Sequence, residues 1–149
     1  RHEYTVILQY LMHSYATPKE DMAEEMQNIA INEMQHMGWL AEALVDEGGT
    51  PDMSPTPLVL SNDPEEMLKA DIAVEREVTR NYTNQVSEIE DPDIRDLVEH
   101  IRDQEVFHDE QFGYHLEELE AEEHAESQEE PKQAPPPGIP SVGSLIGQK

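Results

Sequence analysis

Glu33 and His36, and again Glu105 and His108, stand three residues apart inside stretches of helical periodicity. On a helix, positions i and i+3 share a face, so each pair offers a carboxylate and an imidazole to one point. Iron and manganese accept that donor combination. One such pair says little in a chain with 24 glutamates. The spacing of the companions says more. Glu3 precedes Glu33 by thirty residues, Glu75 precedes Glu105 by thirty, and Tyr10 and Tyr82 follow those first glutamates by seven. The pattern Glu-x6-Tyr-x22-Glu-x2-His thus occurs twice, every member displaced by 72 residues. Two helical hairpins related by a pseudo-twofold axis would gather four carboxylates and two imidazoles at mid-bundle, the ligand field of a two-ion centre. Glu33 and Glu105 are then expected to bridge the ions, Glu3 and Glu75 to be terminal ligands, and His36 and His108 to complete the two spheres. The same six are the candidate catalytic residues. Tyr10 and Tyr82 are placed to reach a carboxylate of the opposite half from outside the ligand set. Ionised and unpaired carboxylates in a dry core are costly, and two divalent cations would offset four of them. Without metal, raised carboxylate pKa values and a less stable bundle are expected.

Helices must position these groups. Residues 1–16 read as the end of a helix with Val6, Ile7, Tyr10, Leu11 and Tyr15 on one apolar stripe. Thr17 and Pro18 form a cap-then-proline start for a second helix, from about Pro18 to Asp46, closed by Gly48 and Gly49. Pro51, Pro55 and Pro57 keep the next segment from being helical throughout. Extended at ~3.3 Å per residue, that segment can cross the whole domain and begin the third helix at the same end as the second. Asp63–Pro64 and Asp91–Pro92 open a third helix to about Ile89 and a fourth to about His124. The apolar neighbours Ile7, Ile29, Leu40, Val78, Val98 and Ile101 put the six ligand candidates on or beside the buried stripes. Trp39 and Phe112 read as packing groups. His2, His13, His100, His115 and His124 do not join the repeat and read as solvated or surface groups. The segment beginning at Asp91 looks like a calcium loop but lacks its glycine and terminal glutamate.

The composition agrees with an all-α reading: of 149 residues, 36% are hydrophobic and only 5% aromatic, enough for helices burying single stripes. The formal charge is −25, which disfavours nucleic acid and anionic membranes and attracts cations. Residues 1–116 carry 26 acids and 7 bases, or −19, and residues 117–149 carry 8 acids and 2 bases, or −6. With no cysteine there is no disulfide framework, iron–sulfur cluster or thiol nucleophile. No apolar run is long enough to span a bilayer. The expected organisation is a bundle over 1–124, an acidic and proline-rich linker over 125–138 and an apolar terminal peptide over 139–149. In that peptide Ser141, Val142, Gly143, Ser144, Leu145 and Ile146 could dock, extended, into a groove of a partner.

Glu3-Tyr-Thr-Val-Ile-Leu-Gln-Tyr10 and Asn32-Glu33-Met34-Gln35-His36 resemble the first- and second-helix motifs of bacterioferritins; Glu75 and Glu105-Val-Phe-His108 extend the match over residues 1–116. The resemblance implies a ferritin-like four-helix bundle with a long crossover between helices 2 and 3. It also implies two iron ions, with manganese as the other metal such a centre takes, and ferroxidase activity. It suggests that the start of the first helix is missing. In bacterioferritins the methionine equivalent to Met34 binds haem at a twofold interface; haem is not expected here, and a homodimer or higher homo-oligomer is. Ser141 to Ile146 resembles the C-terminal loading peptides of encapsulin cargo, which follow flexible linkers. That similarity implies a flexible tail, an encapsulin shell as partner and a cytoplasmic nanocompartment as location. The alternatives are a rubrerythrin-like di-metal peroxidase and a metal-buffering cargo protein without oxidation chemistry.

Overall fold

The computed structural model describes residues 1–128, which form four helices: α1 (His2–Ala16), α2 (Glu20–Asp46), α3 (Pro64–Val86) and α4 (Pro92–Gln128). α1 packs chiefly on α2 and α3 on α4, and contacts between α2 and α4 and between α1 and α3 close the bundle. Tyr10 of α1 meets Glu75 of α3 while Tyr82 meets Glu3, so α1 and α3 run antiparallel. His36 of α2 likewise meets Gln104 of α4 while His108 meets Asn32.

With α1 antiparallel to both α2 and α3, the chain between α2 and α3 must return along the bundle. It does so beside α1. Arg1 pairs with Asp52 at 3.1 Å, Thr56 N–H donates to Thr5 Oγ1 at 2.8 Å, and Val59 N–H donates to Gln9 Oε1 at 2.9 Å. Gly48, with φ of 80°, supplies the left-handed turn that ends α2.

Asp63 and Asp91 cap α3 and α4 as their sequence predicts. Asp63 accepts from the N–H groups of Glu65 and Glu66, and Asp91 accepts from those of Asp93 and Ile94. Three boundaries differ from expectation. Thr17 does not start α2: its N–H still bonds the His13 carbonyl and its hydroxyl accepts from Lys19 N–H, so Thr17 and Pro18 lie in the turn and α2 begins at Glu20. α3 ends at Val86, where Ser87 Oγ donates to the Asn84 carbonyl, instead of reaching Ile89. α4 continues to Gln128, through four residues read as linker, because the Glu- and Ala-rich stretch favours helix. The terminal peptide, with Ser141 through Ile146, lies outside the described residues.

Two apolar clusters flank a polar layer. One holds Val6, Tyr10, Met22, Met26, Ile29, Met67, Leu68, Ile72 and Phe112. The other holds Val78, Tyr82, Val98 and Ile101, with Trp39 and Leu40 packed against it. Tyr15, expected on the apolar stripe of α1, is 74% exposed and lies on the outward face that Met12, three residues earlier, also occupies.

Candidate metal centre

Between those clusters lie Glu3, Glu33, His36, Glu75, Glu105 and His108, each at most 4% exposed, one from α1, two from α2, one from α3 and two from α4. The structure brings all six together in two groups, Glu3, Glu33, His36 and Glu105, and Glu75, Glu33, His108 and Glu105. In each group the donor atoms lie within 4.8 Å of one another. Glu33 and Glu105 belong to both. Glu33 Oε2 lies 3.1 Å from His36 Nδ1 and its Oε1 2.8 Å from His108 Nδ1. Glu105 Oε1 lies 3.1 Å from His36 Nδ1 and its Oε2 3.3 Å from His108 Nδ1. Each shared carboxylate therefore turns one oxygen to each histidine, the placement a bridging ligand needs. Glu3 faces His36 at 3.9 Å and Glu75 faces His108 at 3.7 Å, as terminal ligands would. The two imidazoles stack, with centroids 5.7 Å apart and planes at 24°, across the pseudo-twofold axis.

The tyrosines cross between halves. Tyr10 donates to Glu75 Oε1 at 2.5 Å, and Tyr82 donates to Glu3 Oε1. Tyr10 is also held by the edge of Phe112, with ring centroids 5.1 Å apart. Burial, with the nearby carboxylates, raises both phenols far above their ordinary range, so they remain hydroxyl donors.

Protons hold this charge cluster together when no cation does. Burial and the neighbouring Glu33 and Glu105 push Glu3 and Glu75 well above the usual carboxylate range. For Glu33, burial opposes ionisation, but hydrogen bonds with His108 and His36 pull it below that range. Burial likewise opposes protonation of His36, yet Glu105 and Glu33 push it up to about 10, and they raise His108 as well. Even so, Glu3 Oε2 has no hydrogen-bond partner, and Glu33 Oε1 and Glu105 Oε1 approach an imidazole nitrogen without the alignment of a hydrogen bond. Three such carboxylate oxygens converging in a buried layer are costly as they stand and well used as ligands of cations. Four carboxylates and two imidazoles suit iron or manganese, so the residues present fit such a pair of ions.

Residues that sequence reasoning passed over complete the surroundings. His36 Nε2 bonds Gln104 Oε1 at 2.5 Å, and His108 Nε2 bonds Asn32 Oδ1 at 2.8 Å. Asn32 and Gln104 are themselves 72 residues apart, so extending the repeat by one position would have found them. The surface reading of His13 is overturned. It is 1% exposed, with Nδ1 2.9 Å from Asp71 Oδ2, and Gln9 holds Asp71 at 2.8 Å. His2 is partly buried and its Nε2 lacks a partner, so it too is not simply solvated.

The structure also has known likenesses. It resembles a dodecameric thioferritin, the bacterioferritin-related protein of Bacteroides fragilis, at 16% identity and a TM-score of 0.75 over 83% of this chain and 83% of that one. It resembles a manganese catalase from Anabaena at 20% identity and a TM-score of 0.73, over 78% of this chain. The matched region spans 65% of the catalase's length. At these identities the likeness is one of fold. No curated protein matches the sequence. The family model for the ferritin-like domain matches residues 1–121, the stretch that holds α1, α2, α3, most of α4 and every residue of the polar layer. The chain belongs to the ferritin-like family.

Proposed function

We propose that this chain is a ferroxidase that oxidises Fe(II) at a two-ion centre and delivers the ferric product to a mineral. The observation that carries the reading is the sharing of Glu33 and Glu105, each presenting one oxygen toward His36 and the other toward His108. Two ions held by common carboxylates stay close, so two one-electron oxidations can be coupled to one two-electron acceptor. Two Fe(II) become two Fe(III), and the two electrons with two protons reduce dioxygen to hydrogen peroxide, or peroxide to water. Iron is here a substrate. Glu3 and Glu75 bind the outer flank of each ion, and Tyr82 and Tyr10 orient them. The protons that Glu3, Glu75, His36 and His108 hold without metal are displaced on loading, which keeps the layer near neutrality.

The terminal peptide, by its similarity to encapsulin loading peptides, would deliver the domain into an encapsulin shell in the cytoplasm, and the shell would hold the mineral. Among the described residues no helix is long and apolar enough to cross a membrane. Anaerobic Fe(II) titration is expected to break at about two ions per chain. Admission of air should then oxidise that iron; Fe(II) that persists in air would favour metal buffering instead. Faster turnover with peroxide than with dioxygen would favour the peroxidase reading. Deleting residues 139–149 is expected to abolish co-purification with a shell protein, and unchanged loading would overturn that assignment.

A further inference from the structure

We infer that Trp39 is a one-electron donor to the centre and the point at which an oxidising equivalent leaves it for the surface, an inference that rests on the ferroxidase reading above. Trp39 is the chain's single tryptophan. It packs against the apolar cluster that holds Val98 and Ile101, but its position does more than fill space. Its ring centroid lies 5.9 Å from that of His36, with planes at 37°, and 5.8 Å from that of His100, with planes at 47°. Both separations are those of aromatic rings in contact. His36 is fully buried in the polar layer, whereas His100 is exposed. Three rings thus lead from a candidate ligand to a surface cleft of about 520 Å³ that Trp39 and His100 line. Indole is the readily oxidised member of that series. Glu42, Asp46, Asp91 and Asp93 surround the same cleft, and their negative charge eases the removal of an electron from it.

The other half has no such outlet. Gln111 stands 72 residues beyond Trp39, and an amide gives up no electron. The ring nearest His108 on that side is Phe107, at 6.5 Å between centroids, a phenyl far harder to oxidise than an indole. Tyr10 and Tyr82 are oxidisable, but they are buried against Glu75 and Glu3, so a radical formed there stays beside the ions.

The donor matters when iron is scarce. Reduction of hydrogen peroxide to two waters takes two electrons, and a centre holding a single Fe(II) supplies one. One-electron reduction alone yields hydroxide and a free hydroxyl radical. With Trp39 as second donor the balance closes: Fe(II), the indole, hydrogen peroxide and one proton give Fe(III), a neutral indolyl radical and two waters. The O–O bond breaks, and of the two protons consumed one comes from the indole N–H and one from solvent. The radical is left at the cleft, open to a one-electron reductant from solution.

The test loads the protein anaerobically with fewer Fe(II) ions than chains, adds hydrogen peroxide equimolar with the iron and freezes the mixture within milliseconds for electron paramagnetic resonance. Hydroxyl radical is trapped in parallel with a nitrone. Wild type is expected to show a protein radical whose hyperfine pattern changes on ring-deuteration of tryptophan and not of tyrosine. Trp39→Phe should lose that signal and release more hydroxyl radical to the trap. Trp39→Tyr should replace the signal with one that responds to deuterated tyrosine, and should bring trapping back down. Helical content and anaerobic Co(II) uptake check that both variants keep their centre. The inference is overturned if wild type oxidises its iron with no tryptophan-derived signal, or if Trp39→Phe traps no more hydroxyl radical than wild type. Wild type that leaves Fe(II) unoxidised by either peroxide or air overturns the ferroxidase reading, and this inference with it.

Discussion

The two halves of the bundle, α1–α2 and α3–α4, agree at the candidate ligands and part company immediately outside them. Glu3, Tyr10, Glu33 and His36 match Glu75, Tyr82, Glu105 and His108 in type, burial and cross-bundle partner. Gln9 and His13 of α1 are buried in a polar network, whereas Asn81 and Gln85, the corresponding positions of α3, are exposed. The crossover explains the difference. It lies along α1, where Val59 N–H meets Gln9, and turns that flank into interior. A group covered in this way must be paired, and Asp71 pairs both Gln9 and His13. Shared chemistry keeps the halves alike at the centre, and unequal covering makes them diverge around it.

Removing Glu33 or Glu105 should break both halves at once. Glu33→Ala with Glu105→Ala is expected to abolish binding of either ion, while Glu3→Gln or Glu75→Gln removes one of about two ions. Anaerobic Co(II) titration followed by absorption distinguishes these outcomes. The covered flank is tested next. Asp71→Ala or His13→Ala leaves a buried hydrogen-bonding partner unsatisfied and should cost about 1–3 kcal/mol in urea unfolding of the metal-free protein. Asn81→Ala and Gln85→Ala on the uncovered flank should stay within about 0.5 kcal/mol.

Acidity probes the layer that the halves share. Glu3, Glu75, His36 and His108 bind protons more tightly folded than unfolded. Their contribution to metal-free stability is therefore complete below the unfolded values and is lost as pH rises through the folded ones, about 10 for His36. Glu33, pulled low, acts oppositely: its contribution is present above the ordinary carboxylate value and is lost only in acid. Melting temperature of the metal-free protein should fall from about pH 6.5 toward pH 10. Divalent metal should flatten that slope and release protons, measurable in weakly buffered solution. The two tyrosines give the sharpest comparison of the halves. Tyr10→Phe and Tyr82→Phe should each weaken metal binding by about tenfold, and isothermal titration should find the two losses alike.

The polar layer was legible because its six candidate ligands recur in two sets, and a 72-residue displacement is visible without any structure. The caps at Asp63 and Asp91 were legible because they act through their own next residues. His13 was not, since its burial depends on a segment more than forty residues away and on Asp71 of another helix. Thr17 misled for a local reason: the same threonine can close one helix or open the next, and here its N–H stays with His13. Asn32 and Gln104 were written in the repeat but are amides, unremarkable until a ring nitrogen is found at 2.8 or 2.5 Å.

The crossover also bears on the order in which the molecule assembles. Within each hairpin the helices are joined by a few residues and can pair early, as local contacts do. The bonds that fasten the crossover to α1, Thr56 to Thr5 and Val59 to Gln9, close loops of 51 and 50 residues, so their loop-closure entropy is met late. Each shared glutamate has the histidine of its own helix from the start but gains the one opposite only when the hairpins dock, because Glu33 and Glu105 come from different ones. Docking of the hairpins and assembly of the candidate site are thus a single kinetic event, and an unfinished chain has no preformed cage for a cation.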